Sequence, residues 1–136
     1  MQISMLAVPG LLAAPIPGQA LARQWKAIYD IGKFAGPASS FISILGNSYL
    51  AKNRMDQGEE WGGFVSAALL AISIIPYTAM FMLPTNNALM GVANGTIRSL
   101  GDDAVRKTLQ RWGALNFGRS LLTLAATIVC LWNLLK

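Results

Sequence analysis

The sequence predicts an all-α integral membrane protein, a four-helix bundle with a short amphipathic helical segment before the last span. Three observations predict it. Hydrophobic residues make up 54% of the 136-residue chain and charged residues only 12%, with a mean hydropathy of +0.45. An ordinary soluble domain carries about 25% charged residues, so this chain is too poor in charge to cover a globular surface. Long uncharged stretches recur along it, with the charges gathered into islands between them. That alternation is the mark of a membrane protein, here a single transmembrane domain over residues 1–136.

Residues 3–22 are uncharged, but Pro9, Pro15 and Pro17 interrupt them. They are expected to form a short first span that starts near the N-terminus and unwinds around Pro15 and Pro17. A cleaved signal peptide is the rival reading, and the lack of a basic n-region counts against it. Residues 34–51 have no charge and sit at the short end of the spanning range. Residues 62–83, GGFVSAALLAISIIPYTAMFML, are also uncharged. At about 1.5 Å per residue such a helix crosses a hydrocarbon core of about 30 Å. Residues 112–135 form the fourth span and carry one charge, Arg119.

The first island, 19–33, holds Arg23, Lys26, Asp30 and Lys33, and the second, 52–60, holds Lys52, Arg54, Asp56, Glu59 and Glu60. The third, 98–111, supplies the amphipathic segment, with Arg98, Asp102, Asp103, Arg106, Lys107 and Arg111. In a four-span topology the first and third islands share a side and carry seven Lys/Arg, against three on the other side with Lys136 counted. The positive-inside rule then places both termini away from the cytoplasm. Asn94-Gly95-Thr96 is a glycosylation sequon that this topology leaves on the cytoplasmic side, unmodified. Topology explains the net charge of +5 better than nucleic acid does, since no aromatic–basic interleaving is present.

Absences narrow the chemistry. The chain has no histidine, the usual metal, haem and general-base residue. Its one cysteine, Cys130, cannot form an internal disulfide or a CxxC pair. No acidic residue lies inside a span, and no GxGxxG or P-loop is present to hold a nucleotide. If the chain is an enzyme, it has little with which to hold a conventional cofactor.

Polar residues inside the spans supply the positive signal. Trp112, Asn116, Arg119, Thr123 and Thr127 are spaced by four, three, four and four, one stripe on a helix. A central Arg costs about 2.5–3.5 kcal/mol on insertion scales. Arg119 could snorkel to the headgroups from two turns down, but snorkelling leaves the amide and hydroxyls on its face unexplained. A stripe facing the bundle interior explains them. Ser40, Ser43, Asn47 and Arg54 draw a fainter version on the second span, where packing is the plainer reading of each residue. In the third span Pro76 should kink the helix near Tyr77 and Thr78, and Pro84 should end it. Thr85, Asn86 and Asn87 can cap the segment that follows. Capping accounts for one or two of these groups; a polar pocket roofed by residues 84–87 and floored by the Arg119 stripe accounts for all.

These residues carry a resemblance. Pro76-Tyr77-Thr78, Phe81 through Asn87 and Leu89, followed by Trp112-Gly113, Leu115-Asn116 and Arg119, resemble the DUF1772 family, which includes the fungal anthrone oxygenases. The MLAVPGLL opening and the segment from Gln24-Trp25 to Tyr29-Asp30-Ile31-Gly32-Lys33 are similar to that family's first helix and loop. The resemblance implies oxidation of an aromatic polyketide anthrone to the anthraquinone by molecular oxygen as co-substrate, without metal or flavin. The expected location is a membrane of the secretory system, of the endoplasmic reticulum or related vesicles.

On that reading Arg119 and Asn116 stabilise the oxyanion, while Asn86 and Asn87 bind phenol or carbonyl groups. Trp112, Tyr77 and Phe81 stack on the rings, and Thr78, Thr85 and Asn47 complete the substrate lining. The base is water, or Asp30 of the first loop, although loop carboxylates are usually just solvated. Two rivals use the same residues without chemistry: a binder or transporter of a lipophilic aromatic metabolite, and a structural membrane subunit whose polar stripe only joins helices. The sequence leaves a homo-oligomer open.

Overall fold

The computed structural model describes the backbone of residues 3–136 and the side chains from residue 5 onward. Among the described residues every regular element is helical. A π-helical turn, Ile3–Ala7, runs into α1, Val8–Ala13, which carries Pro9 in its first turn, where a missing N–H costs nothing. Ala14 then turns extended (φ −70°, ψ 129°), as the residue before a proline prefers. The chain stays non-helical to Pro17.

Helix α2, Gly18–Asp56, is one 39-residue element with Pro37 inside it. The first charged island, expected between two spans, is thus the helical start of the same element that contains residues 34–51. Gly58 (φ +72°) stops α2 with two bonds, Gly58 N–H to the Met55 carbonyl and Glu59 N–H to that of Arg54. This is a Schellman cap, which needs a residue at positive φ. Gly95 (φ +75°) closes α4 in the same way, through bonds to the Val92 and Gly91 carbonyls.

The segment around the two prolines departs from expectation. Helix α3, Gly62–Tyr77, passes through Pro76 into a π-helical turn, Thr78–Met82, and then into α4, Leu83–Ala93. Pro84 therefore does not end the helix. It occupies the first turn of α4, where proline is tolerated. Nor do Thr85, Asn86 and Asn87 cap it: the cap position is Met82, with no side-chain cap bond.

Helix α5, Asp102–Leu134, begins with Asp102 and Asp103 against its positive dipole end. The expected separate amphipathic segment is the first part of this helix, because no proline intervenes before the apolar stretch. Two helical stretches, Gly62–Ala93 and Asp102–Leu134, are long and apolar enough to cross a membrane.

The contacts divide the chain into two compact units. One comprises residues 1–33 and 78–118, the other 34–77 and 119–136. In the first, Val8, Leu21, Trp25, Met82, Leu89, Val105, Leu109 and Trp112 are buried. Arg106 donates to the carbonyls of Leu12 (2.8 Å), Ala14 (2.9 Å) and Ile16 (2.9 Å), tying the proline break to α5. Gly18 N–H donates to Asp102 Oδ1 at 2.8 Å, and Arg23 Nε to the Ala93 carbonyl at 3.3 Å. In the second unit the buried positions are mostly small, Ala51, Ala67, Ala68, Ala71 and Ala126 with Phe64 and Ile74. Small residues allow helices to approach closely. Its other faces expose Phe41, Ile42, Leu69, Ile75, Leu124 and Ile128.

Candidate functional site

The first unit contains a buried knot of aromatic and amide side chains. Trp112, on α5, is buried, and its Nε1 donates to Asn86 Oδ1 on α4 at 2.8 Å. An indole N–H can only donate, so the bond fixes which end of the Asn86 amide faces Trp112. Trp25 of α2 meets Trp112 edge-on, with centroids 5.6 Å apart and planes at 84°. Tyr29, one helical turn further, stacks on Trp25 at 5.0 Å. Thr85 and Asn116 are buried in the same unit. Two indoles, two amides and a hydroxyl thus occupy its apolar interior.

One group there is unsatisfied. Trp25 is 0% exposed, and its Nε1 has no hydrogen-bond partner. A buried donor left unpaired costs about 1–3 kcal/mol, and such a group calls for an explanation.

The expected residues divide as follows. Trp112, Asn86, Thr85 and Asn116 are buried in the first unit. Thr78 is half-buried and Phe81 is exposed, while Asn87 faces outward beside its buried neighbour. The expected roof of residues 84–87 is therefore half inside and half outside, as consecutive residues on a helix must be.

Asn47, Tyr77 and Arg119 fall in the second unit. Asn47 is buried and donates from Nδ2 to the Ser43 carbonyl (2.9 Å) and hydroxyl (3.4 Å), while its Oδ1 has no partner. Arg119 is half-buried, with its guanidinium lying over Gly36 of α2; a side-chain carbon there would stand 3.8–3.9 Å from the two terminal nitrogens. The outer part of the Arg119 stripe is not interior. Thr123 and Thr127 are exposed, and their hydroxyls donate to the carbonyls one turn back, of Arg119 and Thr123. That back-bonding lets a hydroxyl sit on an apolar face without a partner helix.

Asp30 is poorly suited to be a base. Its carboxylate accepts from Lys26 (2.5 Å) and Lys33 (2.9 Å), and these two ammonium groups hold its pKa below the ordinary carboxylate value. Among the described residues no group of three or more His, Cys, Asp or Glu comes together as a metal site would require.

Trp25 and Tyr29 were absent from the expected site. Their signal was the apolar spacing of Leu21, Ala22, Trp25, Ile28 and Tyr29 at helical intervals through a charge-bearing segment. Arg23, Lys26, Asp30 and Lys33 interleave with these residues and give the segment the character of an interspan loop.

The profile of the anthrone oxygenase family matches residues 25–129, from Trp25 to one residue short of Cys130. The anthrone oxygenase gedH of Aspergillus terreus is 32% identical over 136 residues, covering 100% of this chain and 89% of that protein. The anthrone oxygenase ptaC of Pestalotiopsis fici is 31% identical, covering 96% of each chain. A noranthrone monooxygenase of Aspergillus flavus is 29% identical over 95% of this chain and 63% of its own length. No solved structure matches.

Proposed function

Because the chain belongs to the anthrone oxygenase family, we propose that it oxidises a polyketide anthrone to the anthraquinone with O2, within a membrane and without a metal or organic cofactor. It is an oxygenase; the membrane setting, the cofactor independence and the residue roles are the proposal.

The observation that carries the proposal is the buried knot of Trp25, Trp112, Asn86 and Asn116 in a chain without histidine. A flat apolar tricycle needs aromatic walls and a few fixed donors. An anthrone supplies the remaining chemistry. Its methylene lies between two rings and opposite a ketone, so loss of one proton to water leaves an electron pair delocalised onto the ketone oxygen. That anion passes an electron to O2, a carbon–oxygen bond forms, and the peroxide takes up a proton. Loss of water from the hydroperoxide generates the second carbonyl. One anthrone and one O2 thus give one quinone and one water, with no outside reductant.

The protein's task is to stabilise charge as it develops. Asn116 and the Nδ2 donors of Asn86 serve the oxygen atoms of the substrate, and Trp112 and Trp25 wall its rings. Arg119, three residues beyond Asn116 on α5, adds positive charge to the same helix. Thr85, buried in the same unit, and Thr78, half-buried there, offer hydroxyls to peripheral oxygens. Asn87 faces outward and Asn47 belongs to the second unit, so neither is assigned a substrate contact. Asp30, held by two lysines, leaves water as the base.

The long apolar stretches of α3–α4 and α5, with Leu69, Ile75, Leu124 and Ile128 on the outside, support a four-helix membrane bundle bathed by lipid. Anthrones and O2 both partition into lipid, and a secretory-system membrane such as the endoplasmic reticulum suits that traffic. Turnover under 18O2 tests the proposal. One labelled oxygen per quinone and one O2 consumed per quinone are expected; label arriving from water alone would overturn it.

A further inference from the structure

We propose that Trp25 is a catalytic residue whose indole N–H donates to the ketone oxygen of the anthrone. This rests on the reading of the chain as an anthrone oxygenase and goes beyond it by assigning a donor and its acceptor.

The two indoles of the first unit are treated differently. Trp112 has its N–H satisfied by Asn86 Oδ1, and it serves as a fixed wall. Trp25 is equally enclosed, yet its Nε1 has no partner. Its ring is positioned without that bond, by Tyr29 stacked at 5.0 Å and Trp112 edge-on at 5.6 Å. Packing on both rings therefore holds the N–H in place before any ligand arrives. Such a donor does not have to reorganise as charge develops.

The chemistry of the partner follows from the group. An indole N–H accepts nothing, so what meets it must carry a lone pair. Asn86 Oδ1 accepts from Trp112, and it is not a partner of Trp25 Nε1. In a setting walled by aromatic rings the fitting acceptor is a carbonyl oxygen on a flat aromatic molecule. The anthrone ketone is that group, and it gains negative charge when the methylene proton leaves for water. The Trp25 bond strengthens in that step, which lowers the barrier and does not merely tighten binding.

Trp25→Phe keeps the ring and deletes the donor. The expected result is a drop in kcat of roughly 10²-fold, as for loss of one oxyanion donor, with a melting temperature unchanged or raised because an unpaired buried donor has gone. Binding measured by thermal shift should also change selectively: the variant should lose affinity for anthraquinone, which has a carbonyl acceptor, and keep it for anthracene, which has none. In wild-type protein labelled with 15N-tryptophan, anthraquinone should move the Trp25 Nε1–H resonance downfield, a readout that does not depend on the variant folding. Turnover in Trp25→Phe within twofold of wild type, or an Nε1–H resonance that anthraquinone leaves in place, would overturn the assignment. If wild-type protein fails to turn over any anthrone, the oxygenase reading fails. Selective carbonyl binding through Trp25 would still be visible in the other two measurements.

Discussion

The indole of Trp112 and the amide of Asn86, 26 residues apart in sequence, are joined by a buried 2.8 Å hydrogen bond that ties α5 to α4. Each partner is buried, so removing one leaves the other unpaired in an apolar interior.

Asn86→Leu and Trp112→Phe should each destabilise the protein by about 1–3 kcal/mol, the cost of an orphaned buried group. The double variant should cost less than the two singles together, with a coupling of roughly 0.5–3 kcal/mol. Denaturation in detergent across the four proteins measures this. Additive losses would show that the bond contributes nothing.

The polarity of the segment Thr85–Asn87 is legible in the sequence. Asn86 stands in a run too polar for capping alone, and its partner Trp112 starts a polar stripe at helical spacing. The bond between them could not be read, because it joins helices by tertiary packing that no local spacing encodes. Pro84 misled for a different reason. Proline usually stops a helix, but a π-helical turn from Thr78 to Met82 places it in a first turn, where its missing donor is harmless. Trp25 was hidden because Arg23, Lys26, Asp30 and Lys33 around it made the segment read as a loop. The all-helical class and the two long apolar stretches follow from composition together with the alternation of uncharged runs and charged islands. The division of contacts between Lys33 and Phe34 coincides with the end of the first charged island, whereas that between Gly118 and Arg119 falls inside an apolar stretch with no break in the pattern.

Arg106 holds three carbonyls of the proline break at once. Arg106→Lys keeps the charge but cannot reproduce the planar fork. Hydrogen bonds to a charged group are worth about 1.5–3 kcal/mol, so the substitution should lower the melting temperature and speed proteolysis between Leu12 and Gly18. Unchanged cleavage there would show that the break is held by packing alone.

Gly113 lies against Val8, where an added carbon would stand 3.0 Å from the valine Cγ1. Gly113→Ala should cost about 1–3 kcal/mol by overpacking. Val8→Ala in the same chain should recover part of that loss, which thermal denaturation of the single and double variants would reveal. A double variant less stable than Gly113→Ala would contradict the contact.

Lys26 and Lys33 depress the pKa of Asp30. A lowered folded-state pKa means that the stabilisation is fully present above the unfolded value and is lost as pH falls through the folded one. Asp30→Asn should therefore be less stable than wild type near neutrality, by a small margin at this partly exposed site, and the difference should vanish in acid. Turnover should survive, since a carboxylate bound by two ammonium groups is not the base. Loss of activity in a folded Asp30→Asn protein would return Asp30 to the mechanism.

The central claim is that the substrate and the fixed donors suffice for the chemistry. The direct measurement is quinone formation from emodin anthrone in aerated buffer by detergent-purified protein, against no-protein and boiled controls, before and after exhaustive chelation. The account predicts a rate well above both controls, no flavin or haem absorbance, and no change on chelation. Activity that disappears on chelation and returns with a metal ion, or that requires added flavin or a reductant, would contradict it.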